Sequence, residues 1–150
     1  MKASKNCIDL IKKFEGYSDV AYLCPAGVAT IGYGSIRWTD GSSVKLGEKI
    51  NFVTAEKLLM DEVNKSVKYL DGLDLNQNQI DALLSFIYNL GANNFLHSTM
   101  YRKIQKNAND TTIANEFIRW TKIRVNGELV QLKGLLKRRL AESELYFKID

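Results

Sequence analysis

Glycine and proline are segregated along this chain, and that segregation limits what it can fold into. Six of the ten glycines (Gly16, Gly27, Gly32, Gly34, Gly41 and Gly47) and the only proline, Pro25, fall between residues 16 and 51. Both residue types disfavour helix, glycine through backbone entropy and proline through its missing N–H. Helices are therefore confined to the flanks, and the segment itself must be turns and short strands. Pro25-Ala26-Gly27 and Asp40-Gly41 are turn signals, and Val28–Tyr33 is β-prone, so a small sheet of two or three strands is expected.

The flanks read as helices. Cys7, Leu10, Ile11 and Phe14 recur at helical spacing and predict a helix over Asn6–Phe14, broken by Gly16. Thr54 is placed to cap a helix running to about Tyr69, with Leu59, Val63 and Val67 on one face. At 1.5 Å per residue such a helix spans roughly 24 Å, enough to join two lobes. Asn76 and Gln79 have capping-box spacing before Ile80–Leu90, which is apolar all round and therefore buried, and Gly91 follows as its stop. Ser98 is placed to cap Thr99–Gln105, and Asp110 or Thr111 a helix to about Thr121. Asn126-Gly127 is a hairpin turn signal, and Lys133–Tyr146 reads as a final basic amphipathic helix. The expected architecture is α+β and mostly α, in a single domain over residues 1–150. A small β-containing lobe (about 14–53), a connecting helix (about 54–70) and a helical lobe (about 71–150, with the first helix 6–14 packed on it) enclose a cleft where a ligand site belongs.

Composition removes several classes. With 45% hydrophobic residues the chain buries a core, and no apolar run reaches the roughly 18 residues of a membrane span. Two cysteines, Cys7 and Cys24, make no disulfide framework, and a single His97 with no C-x-x-C pair gives no metal site. Residues 1–100 carry 10 Lys/Arg against 11 Asp/Glu, while residues 101–150 carry 11 against 6, a net of +5. That basic end favours a polyanion or is simply a solvated face. Helix-turn-helix, RRM and finger signatures are missing, so no nucleic-acid partner is expected.

The segment that carries chemistry begins at Glu15. Its carboxylate sits where a helix turns into the sheet and faces the cleft. Burial beside Phe14 and Tyr17 would help such an acid hold a proton near neutrality. Cys24 follows nine residues later in a turn, and Thr30 six after that on a strand. These spacings let three side chains converge on one cleft. Glu15, Cys24 and Thr30, followed at once by Ile31-Gly32-Tyr33-Gly34, resemble the motif of the phage-type lysozymes, the endolysin muramidases of glycoside hydrolase family 24. Cys24 falls on the position that members fill with Asp or Cys. A second block (Gln77, Ile80 to Leu83, Ser85, Phe86, Asn89, Gly91, then Phe95, Ser98 and Thr99) and a third (Trp120, Gly134, Leu135, Arg138, Arg139, Glu142 and Leu145) match in order. The three blocks cover nearly the whole chain.

The resemblance implies a lysozyme-like fold and hydrolysis of the β-1,4 bond between N-acetylmuramic acid and N-acetylglucosamine in bacterial peptidoglycan. Glu15 would be the general acid, Cys24 and Thr30 would hold or activate water, and the mechanism would be inverting. For Cys24 three roles stay open: orienting thiol, base, or thiolate that polarises the site. Asp19 is a nearby carboxylate off the motif. Gly32, Tyr33, Gly34, Ile36, Tyr88, Asn89 and Ser98 are expected at the substrate, with core packing the alternative for Tyr88 and Asn89. Arg138 and Arg139 are candidates to pair with Glu15, with a solvated face or contact with the anionic wall the alternative. Trp120 reads as core rather than a sugar platform. Ser35 stands where many members carry a histidine. A Cys7–Cys24 disulfide, if formed, would silence the site. No cofactor, no stable membrane association and a monomer are expected; a non-catalytic peptidoglycan-binding module of the same fold is the competing reading. The first residues lack the roughly 7–15-residue apolar stretch of a signal peptide. The expectation is therefore synthesis in the host cytoplasm and action on the wall by another route of release, or loss of an upstream segment.

Overall fold

Helix α1 (Lys5–Glu15) ends at Gly16, whose φ of 72° takes the chain out of the helix one residue beyond the acid. The computed structural model describes all residues, Met1–Asp150. Strands β1 (Ser18–Leu23) and β2 (Ala29–Gly32) form an antiparallel pair with Tyr22 opposite Thr30 and Leu23 opposite Ala29. The Pro25–Gly27 turn joins them, the Gly27 N–H donating to the Cys24 carbonyl at 2.8 Å. No third strand forms; isolated bridges, Val20 to Lys49, Ile31 to Ser35 and Arg37 to Ser43, fold the rest of the glycine-rich segment onto the hairpin.

Helix α2 (Phe52–Asn64) starts earlier than Thr54 and is shorter than expected. Asn51 is the cap, its Oδ1 accepting from the Thr54 N–H at 2.8 Å. The helix stops at Asn64, and a separate 3₁₀ turn (Val67–Leu70) completes the connection. Its 13 residues span roughly 20 Å. Helix α3 (Gln77–Leu90) has the full capping box of Asn76 and Gln79 and ends at Gly91, as its sequence dictates. Ten of its residues, Asn78–Ile87, are buried.

After α4 (Ala92–Leu96), Ser98 caps α5 (Thr99–Lys106) by accepting from the Tyr101 N–H at 3.0 Å. Helix α6 (Ile113–Ile118) is shorter than expected at both ends. Asp110 spends its carboxylate on the turn before it, accepting from the N–H and hydroxyl of Thr112 at 2.9 and 2.6 Å. Thr121 closes the other end by donating to the Ile118 carbonyl. Strands β3 (Lys122–Val125) and β4 (Glu128–Gln131) form the expected hairpin, with Asn126 and Gly127 both at positive φ, 51° and 84°, as a two-residue primed turn requires. Helix α7 (Lys133–Tyr146) has the expected length but no apolar stripe: it buries Arg138, Arg139, Glu142 and Tyr146 and leaves Leu140 exposed.

The main core is a cluster of 22 buried residues built chiefly from α1, α2, α3 and the helices after it. A second cluster, Ala21, Ile31 and Val44, lies under the small sheet. Helix α2 touches β2 as well as α1 and α3, and so ties the two together. The N-terminus is stitched to the helices: Ala3 N–H donates to Asn64 Oδ1, and Ser4 donates from both its N–H and its hydroxyl to the buried Asp81 carboxylate. No helix is long and apolar enough to cross a membrane.

Candidate active site

Glu15 is the last residue of α1, so its side chain leaves the helix where the chain turns into β1. Of the apolar pair expected beside it, Phe14 borders a cavity that Glu15 also lines, and Tyr17 packs instead against Tyr33 and Phe52. Arg138 donates from Nη1 to Glu15 Oε1 at 2.7 Å, with 24% of the Glu15 side chain and 4% of the Arg138 side chain exposed. The other oxygen, Oε2, faces Gly34 and the Tyr88 hydroxyl. A Cβ on Gly34 would lie 3.2 Å from Glu15 Oε2 and 3.5 Å from that hydroxyl, and Gly34 has a φ of 93°. The glycine therefore serves both a backbone conformation and a close approach.

Behind Glu15 lies a buried charge network. Arg138 also approaches Glu142 Oε2 at 3.4 Å and donates to the Ser85 carbonyl at 3.2 Å. Glu142 accepts from the Ser85 hydroxyl at 2.6 Å. Arg139, its side chain wholly buried, meets Glu142 at 2.8 Å in a charge contact that lacks hydrogen-bond alignment. It donates from Nη2 to Asn89 Oδ1 at 2.8 Å and lies over the Phe86 ring at 5.1 Å. Two carboxylates are thus balanced by two guanidiniums. Burial pushes the Glu142 carboxyl up, and the guanidiniums of Arg139 and Arg138 pull against it. Of the two arginines only Arg138 pairs with Glu15, because neighbours on a helix point about 100° apart. Neither lies on a solvated face.

Two cavities meet at this point. One, of about 530 Å³, is lined by Glu15, Gly34, Ile36, Glu62, Tyr69, Tyr88 and Asn89 among others. The second, of about 460 Å³, is lined by Phe14, Glu15, Asn89, Leu132, Lys133, Leu135 and Arg138 with Gly134. Glu15 and Asn89 are the two side chains they share.

Glu62 and Tyr69 were not evident from the sequence. Glu62 follows Leu59 by three residues on the buried side of α2, so its signal was a carboxylate on an apolar face. The buried Ser35 hydroxyl donates to Glu62 Oε2 at 3.2 Å. Burial pushes the Glu62 carboxyl up, while Ser35 and Lys65 hold it down. Burial likewise raises the Tyr88 phenol, with Glu62 and Glu15 adding to it, so Tyr88 remains a neutral donor to the Tyr33 carbonyl at 3.0 Å.

Cys24 and Thr30 sit together on the β1–β2 hairpin and line neither of these two cavities. The Thr30 hydroxyl donates to the Val28 carbonyl at 2.9 Å. Hydrogen bonds from the backbone around Val28 and Ala26 hold the Cys24 thiol below its ordinary value. Cys7 is buried in the core and Cys24 is partly exposed; both are free thiols. Gly32 faces Ala55 of α2, and the Tyr33 ring packs against Tyr17. The Ser98 hydroxyl, besides capping α5, donates to the Phe95 carbonyl at 2.6 Å. Of the residues expected at the substrate, Gly34, Ile36, Tyr88 and Asn89 border the larger cavity. Trp120 packs edge-on against Phe86, at the margin of the core.

A mostly helical α+β fold with a carboxylate at the end of its first helix, beside a cleft, defines the lysozyme-type glycosidases. Within that class the chain belongs to the phage lysozyme family, whose pattern it matches over residues 12–142. It is 36% identical, over 97% of its length and 98% of the relative's, to an endolysin of Acyrthosiphon pisum secondary endosymbiont phage 1. Its fold superposes on that of an endolysin from Escherichia coli O157:H7 phage FAHEc1 with a TM-score of 0.88 and 37% identity, covering 98% and 94% of the two chains. The muramidase domain of SpmX from Asticaccaulis excentricus gives the same TM-score at 30% identity, with 99% of each chain covered.

Proposed function

We propose that this chain is an endolysin muramidase that hydrolyses the β-1,4 bond between N-acetylmuramic acid and N-acetylglucosamine in bacterial peptidoglycan. The observation that carries the reading is the asymmetry of Glu15. One oxygen is tied to Arg138 and the other is open beside Gly34, at the junction of two cavities. An acid so held presents a single oxygen to a glycosidic bond lying across the junction, and delivers its proton to the leaving oxygen. Thr30, its proton committed to Val28, keeps lone pairs to accept from a water, and Cys24 stands beside it on the hairpin. Water held there attacks the anomeric carbon from the face opposite Glu15, so the configuration inverts. Gly34, Ile36, Tyr88 and Asn89 contact the glycan. The enzyme is a one-domain monomer of two lobes that needs no cofactor. It has no nucleic-acid partner and no stable membrane association. It is made in the host cytoplasm and acts on the wall.

Digestion of purified sacculi, with mass and NMR analysis of the fragments, tests this. Saccharides with reducing muramic acid ends, released first as the inverted anomer, are expected. Glu15→Gln should lower release at least a thousandfold with its melting temperature kept within a few degrees. Anhydro ends or a retained anomer would overturn the mechanism. Firm binding to sacculi with no fragments released would instead identify a binding module.

A further inference from the structure

Building on the glycosidase reading, we propose that Asn89 is the donor that recognises the acetamido carbonyl of an N-acetylated amino sugar, and that Arg139 is the positioning residue that locks it in that role. Asn89 lies on the last turn of α3, just past its buried run, and borders both cavities, as only Glu15 does besides it. A saccharide bound beside Glu15 in either cavity therefore has this carboxamide in the same wall.

The two ends of that carboxamide are not equivalent. Its Oδ1 accepts a charge-assisted hydrogen bond from Arg139 Nη2 at 2.8 Å. The guanidinium has no freedom to swing away, being wholly buried, in contact with Glu142 and laid over the Phe86 ring. Turning the carboxamide over would set its NH₂ against that cation, donor to donor, inside a buried network. The orientation with Oδ1 toward Arg139 is therefore the one the surroundings enforce. The Nδ2 group then faces away from the network; it has no partner within the chain and is not enclosed. It offers donors only.

A donor-only group selects an acceptor. Hydroxyls on a sugar ring both donate and accept, but an acetamido carbonyl only accepts, and as an amide it is the strongest neutral acceptor on an amino sugar. Both sugars of the proposed substrate carry one. The charge behind the carboxamide polarises it, so the Arg139 contact strengthens the N–H donors as well as aiming them.

A purely structural role, in which the contact only ties α3 to α7, makes a different forecast for Asn89→Asp. The aspartate keeps its oxygen on Arg139 and gains a charge, so the tie is preserved or strengthened, while the donor is lost. Kinetics of the full chain should be measured on N-acetylated and on de-N-acetylated sacculi, together with thermal melts. We expect Asn89→Asp to melt no lower than wild type, yet to raise KM about tenfold on the N-acetylated wall with a much smaller change in kcat. Asn89→Ala should raise KM similarly and also melt lower. On the de-N-acetylated wall the KM gap between wild type and Asn89→Asp should close. A KM for Asn89→Asp within twofold of wild type, or the same penalty on both walls, overturns the proposal. If the wild-type chain releases no sugar, the glycosidase reading fails, and equilibrium binding to the two walls decides this proposal by the same comparison.

Discussion

At the scale of single residues, the site depends on one position that has no room and one that carries an unfavourable charge. Gly34 is the first. A methyl group there meets Glu15 Oε2 at 3.2 Å, and the left-handed φ of 93° strains any other residue. Gly34→Ala should cost about 1–2 kcal/mol from the backbone alone. It should therefore lower the melting temperature by about 3–6 °C, while the push on the acid's free oxygen cuts lytic rate at least tenfold. Melts and turbidity assays on the same preparation separate the two effects. Glu62 is the second. Burial raises its carboxyl, so the folded chain takes up this proton more readily than the unfolded chain does. Stability must then fall as pH rises from the ordinary carboxylate value of 4.5 toward neutrality. Glu62→Gln retains an oxygen for the Ser35 hydroxyl and removes the charge. It should melt about 1–2 °C above wild type at pH 7, with the gap vanishing below pH 4. A wild-type advantage at pH 7 would show that the charge stabilises instead.

At the scale of elements, α7 holds the site and was the hardest helix to read. Its ends were legible, but its buried face is Arg138, Arg139, Glu142 and Tyr146, which no hydropathy period reveals. Removing one arginine leaves Glu142 short of a partner in the core, so Arg138→Ala should cost about 3–5 kcal/mol in urea unfolding. Lys137→Ala, one residue earlier and exposed, should change stability by less than about 0.5 kcal/mol. Equal effects would mean that the network contributes no more than a surface charge. Signals confined to three or four residues were read correctly: the Asn76–Gln79 capping box, the Ser98 cap and the Asn126-Gly127 turn. The cap of α2 was misplaced: Thr54 was expected to open the helix, but Asn51 does so, and Thr54 supplies the backbone N–H that Asn51 accepts from. Glu15 at the end of the first helix was legible from the glycine that follows it, whereas the expected convergence of Cys24 and Thr30 on the cavities beside it is not seen. The Ser35–Glu62 contact was not legible, because its partners are 27 residues apart and a carboxylate on an apolar face looks like noise until it is paired.

At the scale of the whole molecule, the uneven charge seen in the sequence becomes a surface. Not all of the basic excess in residues 101–150 reaches solvent. Lys103 and Arg119 pair with Glu116, and Arg138 and Arg139 are neutralised inside the network. Arg102, Lys106, Lys122, Arg124, Lys133, Lys137 and Lys148 are exposed and outside every ion pair. Lys133 also borders the second cavity, so the field extends to the place where a glycan would enter. A wall carrying carboxylates and phosphates is drawn by that field, whereas a neutral chitooligosaccharide of the same backbone is not. Raising salt from about 20 to about 200 mM shortens the screening length from roughly 20 to roughly 7 Å. On sacculi kcat/KM should therefore fall about tenfold, and on the neutral oligosaccharide it should change less than twofold. Reversing two of these charges, Arg124→Glu with Lys133→Glu, should reduce the salt effect on sacculi without altering turnover of the oligosaccharide. The same salt response on both substrates would mean that the basic surface plays no part in reaching the wall, since only the charged one can sense it.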